Sequence, residues 1–350
     1  MLTVIYSDDY LMHRTPEGHP EAPSRVEYAI RGVSGLAKIV KPKRGQYWVD
    51  VASSVHDVDY LRYVESLCLT GGYIDADTYV SEDSCKALQA SMDSIMTAID
   101  LLTGGEKYIY IPLRPPGHHV GYRGRALLAP TQGFCIVNNA AVLAMGLLKR
   151  GASRIAILDV DAHHGNGTQE IFYDTSKVFY ISTHQDPRTI YPGTGYVNET
   201  GAGDGTGFNM NVPLPPLTGD DVYLKVLKPI RKVLLTYRPS YIVVSLGFDA
   251  HRYDPLTNMN LSLNSYLEVF KLVKEAVDSG YAQGAVYLLE GGYVGEVIEN
   301  GSRLLAQVTA GSIPSNVEEH TTSDEEVLRL FSRVVEEELR HHPDYWSDAR

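Results

Sequence analysis

The residues best suited to chemistry follow an apolar run in the middle of the sequence. Asp159 and Asp161 lie at the end of this run, and His163 and His164 come directly after them. Residues two apart on a strand project to the same side, so Asp161 and His163 can offer a carboxylate oxygen and an imidazole nitrogen to one divalent ion. The alternative is a capped strand end before a helix that starts at Gly167, and this motif alone does not separate the two.

A second apolar run, Tyr241–Leu246, ends in the same way, with Asp249 just beyond it. If the two runs are adjacent parallel strands, then Asp161, His163 and Asp249 lie together. Three N and O ligands with an open fourth position are typical of catalytic zinc, whereas structural zinc sites are closed. An isolated aspartate after a strand is more often a helix cap, so the matching first motif is what makes Asp249 a metal candidate.

Two further groups follow predicted strands. His118 and His119 end a turn rich in proline and glycine, and near a metal-bound water they would act as general acid and base. Tyr293 follows paired glycines after the last predicted strand, and its hydroxyl could donate to a developing oxyanion. Alone, these are a surface histidine pair and a loop tyrosine. Four strand ends with suitable residues together predict a metal-dependent hydrolase.

These strand ends require a sheet whose strands all finish at one edge. Short β-branched runs alternate with helical patterns, and residues 155–160 are apolar on both faces, which favours a doubly wound α/β fold with a covered parallel sheet. Strands are predicted at residues 3–6, 108–113, 154–160, 178–183, 208–212, 241–246 and 285–290. Helices are predicted at residues 84–102, 138–149, 220–236, 265–279 and 295–308.

Two connections, residues 114–133 and 185–207, are about 20 residues long, where about 4–6 is usual, so we expect them to be functional. Both leave the carboxyl end of a predicted strand, where ligands bind in open α/β sheets. A capping box is predicted at Thr218, before the helix at residues 220–236. A second is predicted at Ser323, before a C-terminal helix that runs to about residue 340.

Composition narrows the function classes. Of the 350 residues, 44% are hydrophobic and 21% charged, as in globular proteins. The formal charge of -12 argues against direct nucleic-acid binding. No apolar run approaches the ~18 residues of a membrane span, and the N-terminus lacks a signal pattern, so we expect a cytoplasmic protein with no membrane partner. The spacing of Cys68, Cys85 and Cys135 suggests neither a disulfide framework nor a thiolate zinc site.

The motifs together resemble the histone deacetylase superfamily, which includes acetylpolyamine amidohydrolases and bacterial acetoin-utilisation proteins. The matching segments are HPEAPSRV (19–26), RPPGHH (114–119), GFCIVNN (133–139), DVDAHHGNG (159–167), HQDPRTIYPGTG (184–195), GFDAHRYDPL (247–256) and LEGGY (289–293). This resemblance implies the arginase–deacetylase α/β fold, with a parallel sheet of about eight strands sandwiched by helices. It covers residues 1–312, which are the implied catalytic domain. Residues 313–350 lie outside the resemblance, and their composition predicts a polar segment and a peripheral helix that could form a homo-oligomer contact.

The resemblance also implies roles for the site residues. Asp161, His163 and Asp249 would hold zinc, His118 and His119 would transfer protons, and Tyr293 would polarise the substrate carbonyl. Asp159 would support His118, and Asn166, which is aspartate in some members, would support His119. An anionic partner favours imidazolium, so His118 should be the more basic histidine and His119 the neutral base.

The implied substrate is an acetylated amine, either a small molecule or an acetyl-lysine protein. Phe134 and Tyr191 would form the walls of a narrow channel, next to Gly133. Leu256 stands where some polyamine-selective members carry a glutamate gatekeeper, so that preference is not supported. Asp77, like Asp75, is a candidate rim carboxylate or a turn residue.

Structural potassium is also implied by the resemblance. Most ligands would be backbone carbonyls, which sequence does not test. The two implied groups are Asp159, Asp161, His163, Ser182 and Thr183, and Phe172, Thr175, Val178 and Phe208.

Three other functions are conceivable for such a chain. A binuclear manganese ureohydrolase on this fold requires carboxylates where this chain has Gly165 and His251, so it is rejected. A non-catalytic acyl-ligand binding or regulatory protein predicts a broken site, whereas every matched catalytic position is occupied. A deacylase that acts on another small acylamide remains open.

Overall fold

The computed structural model describes residues 1–347 and contains twelve strands among them. The last three residues of the predicted C-terminal segment, 348–350, lie outside the described residues. In chain order the strands are β1 (Thr3–Ile5), β2 (Lys38–Val40), β3 (Gly72–Tyr73), β4 (Tyr79–Val80), β5 (Tyr108–Ile111), β6 (Val120–Gly121), β7 (Gly124–Arg125), β8 (Ile155–Asp159), β9 (Val178–Gln185), β10 (Asn209–Leu214), β11 (Tyr241–Leu246) and β12 (Gly284–Leu289).

Helices separate most of the strands. They are α1 (Ser24–Val33), α2 (Trp48–Ala52), α3 (Val58–Leu67), α4 (Ser84–Thr103), α5 (Asn139–Lys149), α6 (Asn166–Phe172), α7 (Asp220–Tyr237), α8 (Leu263–Asp278), α9 (Gly295–Thr309), α10 (Glu325–His341) and α11 (Pro343–Trp346), with 3-10 turns at Asp8–Met12 and Gly203–Gly205.

Eight strands form one parallel sheet in the order β10-β9-β8-β11-β12-β5-β1-β2, and β3–β4 and β6–β7 are short hairpins. The chain leaves β8 toward β9 on one side, and β11 later pairs with β8 on the other. The carboxyl ends of β8 and β11 are therefore neighbours at a switch point, where open α/β sheets bind ligands.

The alternation of side chains along the central strands explains why the sheet is covered on both faces. Ala156 and Leu158 of β8 belong to one buried apolar cluster, and Ile155 and Ile157 belong to the other. All five residues of β8 are buried. Both faces exclude water, so polar groups can lie only at the strand ends.

All seven predicted strands are present within a few residues, and the eight-stranded sheet confirms the predicted fold. The prediction missed β2, a three-residue edge strand whose first two residues are exposed. It also missed α1, α2 and α3, whereas the short helix α6 begins one residue before Gly167, where the alternative interpretation of the first motif had a helix start. Edge strands and short helices bury few side chains, so their sequence periodicity is weak.

Both predicted capping residues are wrong. Thr218 donates its hydroxyl to the Pro215 carbonyl, and α7 is capped by Gly219. Helix α10 is capped by Asp324 rather than Ser323. Each observed cap lies one residue after the predicted one. The sequence pattern locates the helix start, but it does not show which residue adopts the extended backbone conformation of the cap.

The cysteine prediction is also wrong. Cys68 follows α3, Cys85 lies in the first turn of α4, and a disulfide joins them, whereas Cys135 is free and buried. The two cysteines are 17 residues apart, and the β3–β4 hairpin lies between them in the sequence. The two ends of this loop meet in space although their spacing in the sequence carries no motif.

The C-terminal segment packs against the sheet and α7. Phe331 of α10 and Trp346 of α11 belong to the apolar cluster that covers one face of the sheet. Asp220 at the start of α7 accepts hydrogen bonds from the Thr321 amide and from the Ser262 amide and hydroxyl. No helix within residues 1–347 is long and apolar enough to cross a membrane.

Because Asp220 joins three segments, Asp220→Ala should destabilise the protein by roughly 3 kcal/mol, since charged hydrogen bonds are lost and buried donors remain. Urea unfolding should show this loss, and a glutamate-specific protease should cleave faster after Glu318. Glu336→Ala, at an exposed position of α10, is the control and should change neither measurement. Equal stability of the two variants would contradict this role for Asp220.

Candidate active site

The three predicted metal ligands meet at the carboxyl ends of β8 and β11. Asp161, His163 and Asp249 offer ligand atoms that all lie within 4.8 Å of one another. Asp161 and Asp249 are 1% and 0% exposed, whereas the His163 side chain is 12% exposed. The group is buried but open on the histidine side.

Backbone amides fix the direction of both carboxylates. The Gly291 amide donates to Asp161 Oδ2 at 2.7 Å, and the Ala162 amide donates to Asp249 Oδ1 at 2.9 Å. The other oxygens, Asp161 Oδ1 and Asp249 Oδ2, lie 3.2 and 2.8 Å from His163 Nδ1. One oxygen of each carboxylate therefore faces the same imidazole nitrogen.

The electrostatics of this group fit a cation. Burial, followed by the charge of Asp161, raises the pKa of Asp249 to about 7. Burial alone would lower the pKa of His163, but hydrogen bonds to the two aspartates raise it to about 10. Two buried carboxylates are costly without positive charge between them. One imidazole nitrogen and two carboxylate oxygens are a donor set that suits a divalent metal ion.

His118 lies beside the ligand group and has an anionic partner. Its Nδ1 is 3.0 Å from Asp159 Oδ2, which also accepts the Tyr180 hydroxyl. Burial opposes a charge on His118, but the carboxylates of Asp159 and Asp161 raise its pKa well above the usual value. The His118 ring is therefore protonated on both nitrogens and carries a positive charge.

His119 has a neutral partner instead. Its Nδ1 is 2.8 Å from Asn166 Oδ1, and Asn166 Nδ2 donates to the Ala126 carbonyl. Nδ1 must therefore carry the hydrogen, which leaves Nε2 of the neutral ring as an acceptor. Burial and the charges of His118 and His163 lower the pKa of His119 well below its usual value. The order of the two pKa values is the one predicted from the sequence.

Tyr293 is held through its backbone and its ring. Its amide donates to Asp254 Oδ2 at 2.8 Å, and the Arg25 guanidinium lies 5.0 Å from its ring centroid. Burial raises the pKa of Tyr293 well above its ordinary value despite the Arg25 charge. The hydroxyl therefore remains a hydrogen-bond donor at neutral pH.

The sequence did not single out the buried groups that support these turns. Arg25 donates to the carbonyls of Gly292 and Glu290, and Glu21 pairs with both Arg25 and Arg114. Glu290 also accepts the amide of Gly117 at 2.8 Å through Oε2. Their signal was present in the HPEAPSRV and LEGGY segments, but a buried ion pair between distant segments has no local pattern.

Aromatic side chains lie on two sides of the histidines. Tyr191 packs edge-on against His119, with ring centroids 4.9 Å apart. Phe134 faces Tyr293 at 6.0 Å and His19 at 4.6 Å. These positions are compatible with the predicted channel walls, and they add His19, which the sequence did not suggest as a contact.

Gly133 lies between these rings. A Cβ there would be 2.6 Å from His119 Cδ2 and 2.8 Å from Tyr191 Cε1, and the residue has a φ of +55°. Only glycine permits both the close approach and this backbone conformation.

The predicted rim residues organise loops. Asp75 accepts the amides of Asp77, Thr78 and Gln132, and Asp77 accepts the hydroxyls of Thr78 and Thr131. Burial raises the pKa of Asp77.

Leu256 is 37% exposed, and its amide bonds Asp254, the residue that also holds Tyr293. A substrate contact by Asp77 or Leu256 stays a prediction.

The two groups named for potassium lie along β9. Asp159 and Ser182 are partners in the β8–β9 register. The second group surrounds the turn from α6 into β9, where the Thr175 amide donates to the Phe172 carbonyl, and Phe208 immediately precedes β10. Potassium at either place stays a prediction.

Comparison with known proteins assigns this architecture. Residues 19–310 match the histone deacetylase domain family. The chain belongs to the histone deacetylase family. A protein named "probable deacetylase" from Archaeoglobus fulgidus is 38% identical over 298 residues, which cover 83% of this chain and 80% of that protein.

Further relatives agree with this assignment. An acetylpolyamine amidohydrolase from Mycoplana ramosa is 33% identical over 338 residues, covering 83% of this chain and 95% of its own. The crystal structure of the HDA15 HD domain is similar at a TM-score of 0.86 and 28% identity, covering 99% of this chain and 96% of that chain. These relatives confirm the predicted fold and support an enzyme of the hydrolase type.

Within this histone deacetylase family member, Gly165 is too closely surrounded to be replaced by a residue with a side chain. A Cβ at Gly165 would lie 2.3 Å from Asp159 Oδ2 and 2.6 Å from the Tyr180 hydroxyl. A carboxylate side chain would not fit there. The position that the rejected ureohydrolase chemistry needs for a second metal is therefore closed.

Gly291→Ala should weaken binding of the divalent metal by roughly 10–100-fold, the range seen when groups behind metal ligands are disturbed. The new Cβ would lie 2.6 Å from Asp161 Oδ2 and 2.7 Å from Asp249 Oδ2, and these carboxylates are held by backbone amides. Competition with a chromogenic chelator measures the affinity.

Gly45→Ala is the control, since its nearest contact is at 3.4 Å and lies outside this group. Unchanged affinity in Gly291→Ala would show that the carboxylates do not hold the ion.

Proposed function

We propose that this protein is a zinc-dependent deacetylase that hydrolyses the amide of acetylated linear amines. The observation that carries the proposal is the meeting of Asp161, His163 and Asp249 beside a histidine whose Nε2 is free to accept a proton. Family membership supports the reaction class, and the names of the relatives, deacetylase and acetylpolyamine amidohydrolase, support the bond cleaved.

The donor set favours zinc as the metal. One imidazole and two carboxylates with an open position are a catalytic zinc arrangement. When bound, zinc would lower the pKa of a water molecule toward about 7 and polarise the substrate carbonyl. Asp161, His163 and Asp249 would hold the ion, and backbone hydrogen bonds fix the direction of the two carboxylates.

The two histidines divide the proton transfers. His119 accepts the proton of the attacking water at Nε2, because Asn166 keeps the hydrogen on Nδ1. His118, which Asp159 keeps protonated, supplies a proton to the leaving amine. General acid–base steps of this kind contribute about 10²–10⁴-fold each. The Tyr293 hydroxyl donates to the oxyanion that develops on the carbonyl.

Aromatic walls select the shape of the substrate. Tyr191 lies against His119 and Phe134 lies near Tyr293, so the reacting amide arrives between rings at the end of an unbranched alkyl chain. An apolar wall discriminates among chains by only ~1–3 kcal/mol per methylene-scale mismatch. We therefore propose that acetyl-lysine peptides and acetylated polyamines are both substrates, with Asp77 and Leu256 at the mouth.

Zinc-loaded protein should hydrolyse both substrate classes, and Tyr293→Phe should bind zinc normally while its kcat falls by roughly 10²–10³-fold, as for loss of one oxyanion donor. Steady-state kinetics with a matched series of acetylated amines, together with metal analysis of each protein, measures this. Asp249→Ala removes one of the three proposed zinc ligands. It is the control that should bind no zinc and show no turnover.

The outcomes separate the alternatives. Zinc bound without turnover of any acetylated amine would indicate a non-catalytic acyl-binding protein. Turnover of only other small acylamides would keep the chemistry but remove the proposed substrate.

Asn166→Asp should move the acidic limb of the kcat/KM profile to higher pH. The new carboxylate would lie next to His119 Nδ1, and its negative charge would raise the pKa of His119. Because His119 acts as a base only when it is neutral, a higher pH would be needed for activity. Asn300→Asp, at an exposed position of α9, is the matched control and should leave the profile in place. An unmoved limb in Asn166→Asp would show that another group is the base.

A further inference from the structure

A second group of potential metal ligands lies beside the first and shares only the proton-holding histidine with the machinery described above. A ring nitrogen of His118, Cys135 Sγ and a Glu290 carboxylate oxygen all lie within 4.8 Å of one another. The three residues are 2%, 1% and 0% exposed. Because Cys68 and Cys85 are joined to each other, Cys135 is the only free thiol of the chain.

Glu290 has a buried carboxylate oxygen without a hydrogen-bond partner. Its Oε2 accepts the Gly117 amide, whereas its Oε1 is buried without a hydrogen-bond partner. A buried acceptor without a partner costs free energy. A proton or a water molecule would satisfy this oxygen alone, whereas a metal ion would also use the Cys135 thiol and the His118 ring nitrogen, which lie within 4.8 Å of a Glu290 carboxylate oxygen.

We propose that His118, Cys135 and Glu290 form a second, thiophilic metal site, which takes a soft divalent cation such as Zn²⁺ or Cd²⁺. Sulfur, nitrogen and oxygen donors together suit these ions. Ligands about 2.0–2.3 Å from a tetrahedral ion lie roughly 3.3–3.8 Å apart. The ligand atoms lie within 4.8 Å of one another, so each pair must close by at most about 1.5 Å.

Binding of an ion at this site costs more free energy than binding at the Asp161–His163–Asp249 group. Burial raises the pKa of the Cys135 thiol well above its usual value, so the incoming ion must displace the thiol proton as well as the second ring proton of His118, and both protons leave to solvent. Asp161 and Asp249 need no such exchange with a thiol. The first equivalent of metal therefore binds at the aspartate site, and the second site fills only when the metal is in excess.

Occupation of the second site should stop the reaction. An ion on the His118 ring takes the nitrogen lone pair that would otherwise hold a proton, so the leaving amine is no longer protonated. This inhibitory consequence rests on the proposed function. The metal site itself rests only on the three side chains.

Cadmium titration of the zinc-loaded, unreduced protein tests the site. Binding at Cys135 should produce the ultraviolet charge-transfer absorption of a cadmium–thiolate bond, at one equivalent per chain beyond the zinc. Cys135→Ser and Cys135→Ala should lack this absorption while they keep the first metal and the basal activity. Glu290→Gln should show the absorption with weaker affinity, because it replaces the carboxylate oxygen that lacks a partner.

Activity measured along the same titration tests the consequence. Half-inhibition of Cys135→Ser should need at least about tenfold more cadmium than in the wild type, the minimum expected when a metal site is impaired. A wild-type titration without the thiolate absorption would overturn the proposed site, including the case in which cadmium only replaces zinc at the aspartates.

The metal site and its inhibitory effect can be tested separately. Thiolate absorption without inhibition would keep the site and remove the role of His118 in proton transfer. Thiolate absorption in a protein that hydrolyses no acetylated amine would keep the site and remove the proposed function.

Discussion

Two buried carboxylates aimed at one imidazole nitrogen are the constraint on which the rest of the site depends. Asp161 and Asp249 can be buried because β8 and β11 are adjacent and parallel, and because the Gly291 and Ala162 amides each bond one of their oxygens. The remaining negative charge is balanced by the rings of His163 and His118, and His118 Nε2 lies 3.8 Å from Asp161 Oδ1. A divalent cation held between the two carboxylates would stabilise the fold as well as the proposed reaction, and its affinity would then be linked to folding.

The same charge pattern separates the two neighbouring histidines. Asp159 and Asp161 hold His118 in its charged form, whereas His119 faces a neutral amide and lies next to the charged rings. The carboxylate partner of His118, together with the burial of His119 beside the charges of His118 and His163, gives the pair opposite protonation states. Groups whose environments push their pKa values apart are typical of paired acid and base catalysts.

Much of this arrangement could be predicted because parallel strands bring their carboxyl ends to one edge. Asp161 and Asp249, 88 residues apart in the sequence, followed apolar runs, and the structure places their ligand atoms together. The buried pair of Glu21 with Arg114 could not be predicted, since an ion pair between distant segments has no periodicity. The Cys68–Cys85 disulfide was missed for the same reason.

The missed residues are those that make the turns rigid. Glu21 bonds Arg114 at the start of the histidine turn and Arg25 near the tyrosine turn, and Arg25 bonds the carbonyls on both sides of Gly291. The N-terminal segment thus joins the two turns that carry the proton donors, although it supplies no reacting group itself. Burial of these charges is tolerable only when every partner is present, since removing one leaves an uncompensated charge. The precision of the site therefore depends on side chains far from the metal ligands in sequence.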